Sequence, residues 1–258
     1  PGRIGFVGFA DILKQTRSCL VETIKIDGEN LAIGEIVAVA RRGARVELAG
    51  SARARIRQSQ QWVAEIVSRS DPVYGINTGF GIFAEQRIPS EDSAKLSRNL
   101  ILSHAVGMGP ALDPEIVRAS ILVRANTLAK GFSGVREVVV DTLIALLNKG
   151  VTPIVPSQGS LGSSGDLAPL SHLALVFTTD DKDLDEESGQ AWFEGEILSG
   201  KEAMRRAWIA RIILGAKEGL AVNNGATFSA AIAALAVYDA ETLMRVAECS
   251  LAMTLEAV

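Results

Sequence analysis

Two segments between Asp113 and Gly150, "PEIVRASILVRANTLA" and "REVVVDTLIALLNK", have helical spacing with apolar residues over much of their circumference. A helix that is apolar nearly all round cannot lie on a surface and has to be packed by other helices on several sides. The punctuation agrees. Asp113 stands at an N-cap position with Pro114 at the first helical position, and Gly131 closes that helix. Ser133 is placed to cap the second helix, which stops at Gly150. Asp166 reads as the cap of a further apolar helix, "LAPLSHLALVF", and Phe228 to Val258 forms one long apolar-rich helical run with no Gly, Asn or Pro stop. The chain is therefore predicted to be mainly α, a helical bundle with a few short strands in its N-terminal region. Aromatic residues are only 5% against 48% hydrophobic, so Ala, Leu, Val and Ile must supply the packing.

Elsewhere the pattern is more varied. "ETIKIDG" and "ARVELAG" read as short strands on either side of a helix at Leu31–Arg41, and Ile56, Val63, Ile66 and Val67 line one stripe of the next helix. "AWFEGEILSG" reads as a hairpin, "KEAMRRAWIARIIL" as a helix, and the acidic run "DDKDLDEE" as a solvated loop. Residues 1–20 are expected to be an extension outside the fold and 21–110 an N-terminal, mostly helical region. Residues 111–258 are expected to be the start of a central bundle, cut short in the long helix. A net charge of -4 and a pI near 5.4 count against a nucleic-acid partner, whose phosphates call for clustered Lys and Arg. No run is long enough to span a membrane. Cys19 and Cys249 form no disulfide framework, so a reduced, cytoplasmic setting is expected.

Two glycine-rich loops interrupt the helices. "DPVYGINTGFGIF" sets Gly75, Gly79 and Gly81 among Tyr74, Asn77 and two phenylalanines, and "SLGSSGDLAPLSH" places three serines and two glycines directly ahead of an apolar helix. The second loop is not a hydrolase elbow, because Gly165 follows Ser164 at once. It is not a phosphate loop either, since it has no lysine, and its glycines do not follow the dinucleotide spacing. No clear strand precedes it. His104 and His172 are far apart in sequence and have no ligand cluster around them, so no metal site is predicted.

"GSLGSSGDLAPLSH" resembles the signature of the histidine and phenylalanine ammonia-lyase family. "VYGINTGFG" at 73–81, "NLILSHAVG" at 99–107 and "KEGLAVNNGAT" at 217–227 match further motifs of that family in the expected order. The resemblance runs from about Val21 to the end of the chain and is closest to histidine ammonia-lyases, over their N-terminal half. It implies a helical-bundle fold. It also implies that Ser163, Ser164 and Gly165 cyclise without help into a methylidene-imidazolone (MIO) electrophile. The commoner tripeptide begins with alanine, but the Ser163 side chain would stay outside the ring. Ser164 must carry a β-hydroxyl, whose loss as water creates the exocyclic alkene. Gly165 makes the required backbone bend cheapest.

The same resemblance assigns the remaining roles. Tyr74 is the base that takes the β-proton, for which a phenol needs surroundings that favour its ionised form. His104, in a Ser-His pair typical of histidine ammonia-lyases, binds the substrate imidazole, and Asn224 lies near the MIO and the substrate. Asn223 is its structural neighbour, and His172 anchors its own helix. The implied reaction converts L-histidine to trans-urocanate and ammonia, a histidine-degradation step, in a homotetramer. A phenylalanine or tyrosine ammonia-lyase or an aminomutase of the same family is the alternative, as is a non-catalytic, truncated helical scaffold. The family's Gln-Asp-x-Tyr-Ser-x-Arg motif, whose arginine receives the substrate carboxylate, is absent from these 258 residues. The chain alone is therefore expected to be inactive or nearly so.

Overall fold

The computed structural model describes residues 23–69, 71–81, 84–162 and 165–258. The expected extension at 1–20, and Ser163 and Ser164 of the tripeptide, lie outside the described residues. The chain opens with a parallel pair, β1 (Thr23–Ile26) and β2 (Arg45–Leu48), joined by helix α1 (Ile33–Arg42). Alternation buries Ile24, Ile26, Val46 and Leu48 on one face. Parallel strands require such a crossover, and α1 ends where Gly43 enters the left-handed region at φ 70°. The Asn148 side chain satisfies β2 from the side, accepting from Val46 N at 2.8 Å and donating to Val46 O at 2.9 Å.

Helix α2 (Gly50–Ser68) leads to the first glycine loop, after which come α3 (Ser93–His104), α4 (Pro114–Ala129) and α5 (Glu137–Lys149). Helix α4 is the hub, packing on α1, α2 and α5. Val117, Ala119, Ile121, Leu122, Ala125 and Leu128 bury most of its apolar circumference. Its Arg118 donates to Val39 O at 2.9 Å, which gives an end carbonyl of α1 the partner the helix itself cannot provide. Helix α6 (Leu167–Phe177) packs on α3, and α9 (Thr227–Ala257) lays its first half on α1, α4 and α6. At 31 residues α9 is about 46 Å long. From Ala240 onward it is fully exposed, including Leu243, Met244, Leu251 and Leu255. Buried side chains from Ile24 to Leu235 join in one hydrophobic core. Among the described residues, no helix is long and apolar enough to cross a membrane.

The mainly α class and the placement of the long helices agree with the sequence reading. Four local expectations change. The helix after Ser133 starts only at Glu137, with Arg136 at its N-cap, so Ser133 caps nothing there. "KEAMRRAWIARIIL" splits into α7 (Gly200–Arg206) and a strand. Trp208 takes a left-handed φ of 54°, and Lys149 Nζ binds the carbonyl of Ala207 at 2.8 Å. Ile212–Ile213 then pairs in parallel with Thr178–Thr179, so backbone pairing overrides local helix spacing. A strand does precede the serine-glycine loop. β3 (Met108–Ala111) runs antiparallel to β4 (Pro156–Gln158), two short pieces rich in Gly and Pro with no alternation to announce them. Finally, the acidic run is mostly exposed yet tied down. Asp183 pairs with Arg211 and with Lys201 at 3.1 Å, and Asp185 accepts from Ser199 Oγ at 2.6 Å.

Leu143 is fully buried between α5 and its neighbours. Leu143→Ala is expected to lower the unfolding free energy by roughly 2–5 kcal/mol in urea titrations, through lost transfer energy and a residual cavity.

Candidate active site

The serine-glycine loop is held at its base by one buried carboxylate. Asp166 has no exposed surface and accepts from Ser160 Oγ at 2.6 Å, at the start of the loop. It also accepts from Ser229 N at 3.0 Å and Ser229 Oγ at 3.1 Å, in the first turn of α9. Asp166 therefore occupies the N-cap position of α6 but makes no side-chain cap bond to that helix. At φ -78° and ψ 26° it departs from the extended backbone that aims a cap side chain at its own helix, and the carboxylate caps α9 instead. Similarly, Asp113 holds its N-cap position without a side-chain cap bond.

Inside the loop, Leu161 N donates to Gly165 O at 3.1 Å, and Gly165 N donates to Gly162 O. A Cβ on Gly165 would fall on the Gly162 carbonyl, so no other residue fits there without moving the loop. Gly165 also forms a parallel bridge with Gly225, which brings the loop against the Asn223-Asn224-Gly225 turn at the end of α8 (Glu218–Asn223). Asn223 is buried and donates to Ser171 Oγ at 3.3 Å, consistent with a packing role, whereas Asn224 is exposed beside the loop. The start of α8 is fixed by Glu218, 2% exposed. It accepts from Arg136 N at 2.8 Å and Gly215 N at 2.7 Å and is paired with the Arg136 guanidinium at 2.6 Å. That carboxylate raises the Arg136 pKa.

His104 is the last residue of α3, and its Nδ1 lies 2.9 Å from Leu100 O and 3.0 Å from Ser103 Oγ. Three residues on, Gly107 N donates to His172 Nε2 at 3.0 Å. His172 thus anchors the His104 segment to the helix that begins just after Gly165. Burial lowers the His172 pKa, which suits the neutral, accepting nitrogen. Tyr74 sits in the other glycine loop, 62% exposed, with its ring edge-on to Phe80 at 6.3 Å. That loop is braced by Asn77, whose Oδ1 accepts from Val73 N at 2.6 Å and whose Nδ2 donates to Asp71 O at 2.9 Å. Its Gly75 lies against Leu220 of α8.

The structure thus brings Gly165 and the Asn224 turn into contact and ties the His104 segment to the same helix. Tyr74 approaches only through the packing of its loop on α8. The sequence reading named Asn77 only as a member of its glycine loop and did not single out Glu218 or Arg124, a buried arginine whose Nη2 donates to Asn224 O at 2.8 Å. Its signal was visible as a charged residue inside the apolar helix "PEIVRASILVRANTLA".

A helical core thus presents the serine-glycine loop against an Asn-Gly turn. The sequence profile described as aromatic amino acid lyase matches residues 31–258, and the chain belongs to that family. It is 48% identical over 235 residues to histidine ammonia-lyase 2 of Fusobacterium nucleatum, covering 91% of this chain and 44% of that protein. It is 47% identical over 238 residues to histidine ammonia-lyase of Caldanaerobacter subterraneus, covering 92% and 45%. The crystal structure of histidine ammonia-lyase from Trypanosoma cruzi superposes with a TM-score of 0.77 at 35% identity, over 86% of this chain and 41% of that one. Ergothionase from Treponema denticola superposes at 0.80 with 28% identity, over 86% and 43%. The chain spans less than half the length of these relatives.

Two outcomes are expected here. Asp166→Ala removes the shared acceptor of two elements and should cost about 3 kcal/mol of unfolding free energy, the scale of a broken buried charge network, read by chemical denaturation. The folded state prefers neutral His172, so below about pH 6.5 the unfolded chain binds the extra proton and the stability that His172 contributes is lost as pH falls. The stability difference between the wild type and His172→Gln should therefore shrink between pH 7.5 and pH 5, approximately, in parallel melts.

Proposed function

We propose that this chain carries the electrophile-bearing part of an ammonia-lyase that converts L-histidine to trans-urocanate and ammonia. The observation that carries the reading is the bridge between Gly165 and Gly225, which joins two of the four family motifs at one place. The tripeptide fits the MIO group at the one position of the three that the structure describes: a Cβ on Gly165 would strike the Gly162 carbonyl. The MIO would be formed by the chain from Ser163, Ser164 and Gly165, and it would supply an electron-poor alkene as the electrophile for the substrate amine.

The chain's other residues then have separate tasks. Tyr74 takes the β-proton, for which its glycine loop gives the phenol an accessible position. His104 offers an imidazole nitrogen to the substrate imidazole, a contact that an apolar side chain cannot make. Its Nδ1 is engaged by Leu100 O and Ser103 Oγ, which leaves Nε2 as the free edge. Asn224 orients the substrate beside the loop. In this reading the protein works as a homotetramer, as the family resemblance implies, in the reduced, cytoplasmic setting that its cysteine usage favours. The high identity to histidine ammonia-lyases and the Ser-His pair favour histidine over phenylalanine or tyrosine.

Intact mass spectrometry of the purified chain tests the reading. The wild type should weigh two waters less than its encoded sequence, and Ser164→Ala should show the full encoded mass. A wild type of unmodified mass contradicts it. In the enzyme containing this chain, His104→Leu should lower kcat/KM for histidine at least roughly tenfold relative to phenylalanine, because the substrate's polar edge loses its partner.

A further inference from the structure

Arg124 lies behind the Asn224 turn, on α4 in the middle of the bundle, and only 4% of it is exposed. A guanidinium this deep is costly unless its donors are met. Here the partners are main-chain carbonyls at the end of α8. Nη2 donates to Asn224 O at 2.8 Å and Nη1 to Ala221 O at 3.3 Å, while Nε is buried with no partner among the described residues. Burial lowers the Arg124 pKa to about 10 and the nearby Asp166 carboxylate works the other way, so the group stays cationic at neutral pH. A cation at these carbonyls also complements the negative end of the helix. Gly225 is at φ 146°, and a Cβ there would come within 2.9 Å of Nη2, so the guanidinium packs directly on the residue whose other side bridges Gly165.

We propose that Arg124 is a positioning residue that clamps the Ala221–Gly225 turn against Gly165, and so sets the register between Asn224 and the Ser163-Ser164-Gly165 loop. The proposal rests on the reading that this loop cyclises. In that step Gly165 N bonds to the carbonyl carbon of Ser163, and the carbonyl oxygen leaves as one water with the amide hydrogens of Gly165 and Ser164, which leaves a C=N bond to Ser164 N. Ser164 loses its hydroxyl and its Cα proton as a second. An ångström of misplacement at such a bond-forming contact costs about a hundredfold in rate. A merely structural arginine would lower stability when replaced but leave the modification unchanged in molecules that still fold.

The test follows intact mass with time after expression for the wild-type chain, Arg124→Met, Arg124→Lys and Gly225→Ala, each checked for helical circular dichroism. The expected result is a wild type lighter by two waters. Folded Arg124→Met and Gly225→Ala should acquire that mass about a hundredfold more slowly, and Arg124→Lys should fall between. Cyclisation of folded Arg124→Met and Gly225→Ala at the wild-type rate overturns the proposal and leaves the reading of the function intact. If Arg124→Met does not fold, Gly225→Ala and Arg124→Lys decide by the same criterion. If the wild type keeps its encoded mass, the function reading falls, and hydrogen exchange decides the clamp alone. Faster exchange in Arg124→Met confined to residues 220–226 supports it, and unchanged exchange there overturns it.

Discussion

A carboxylate removed from water has to be saturated with donors, and the way Asp166 meets that requirement organises the rest of this molecule. Its oxygens take the hydroxyl of Ser160 and the amide and hydroxyl of Ser229, so the start of the loop and the start of the longest helix converge on one residue. Buried charge facing it from Arg124 adds a second level of order, because that guanidinium grips the turn that bridges Gly165. The serine-glycine loop is tied at both ends, Ser160 to the buried Asp166 carboxylate and Asp166 itself to the first turn of α9.

Helix α4 shows why such a site needs a large apolar frame. Its alanines, leucines and isoleucines bury most of the circumference, and Arg118 and Arg124 project from that frame to carbonyls at the ends of α1 and α8. Apolar packing supplies the stability, and the few buried polar groups specify where helix ends meet loops. The division recurs at α8, where Glu218 fixes the first turn and Arg124 the last. Asn224, proposed to face the substrate, is held from both ends of a six-residue helix.

Much of this architecture was legible in the residues. The long helices and the β1 and β2 strands announce themselves by period, and the Gly150 stop by chemistry. The glycine loops were visible as breaks in periodicity, and their order along the chain carried the family resemblance. Long-range pairing was not legible. Asp166 looks like the cap of its own helix, and only the tertiary fold turns it toward Ser229, 63 positions away. Ile212–Ile213 lies in a stretch with helical spacing but finds a strand partner at Thr178, and Pro156–Gln158 has no strand signature until Met108–Ala111 lies beside it. His104 and Asn224 were singled out by resemblance. Arg124 shows in the sequence as a charge inside an apolar helix, but the Asn224 turn it supports lies 100 positions away.

The central claim is that the loop at 163–165 is a chemical group and not merely a turn. The most direct measurement treats the purified chain with borohydride and maps the peptides by tandem mass spectrometry. The account predicts that the peptide spanning Ser163–Gly165 has lost two waters and gained two hydrogens at the alkene. Recovery of that peptide as ordinary Ser-Ser-Gly, untouched by the reagent, would contradict it.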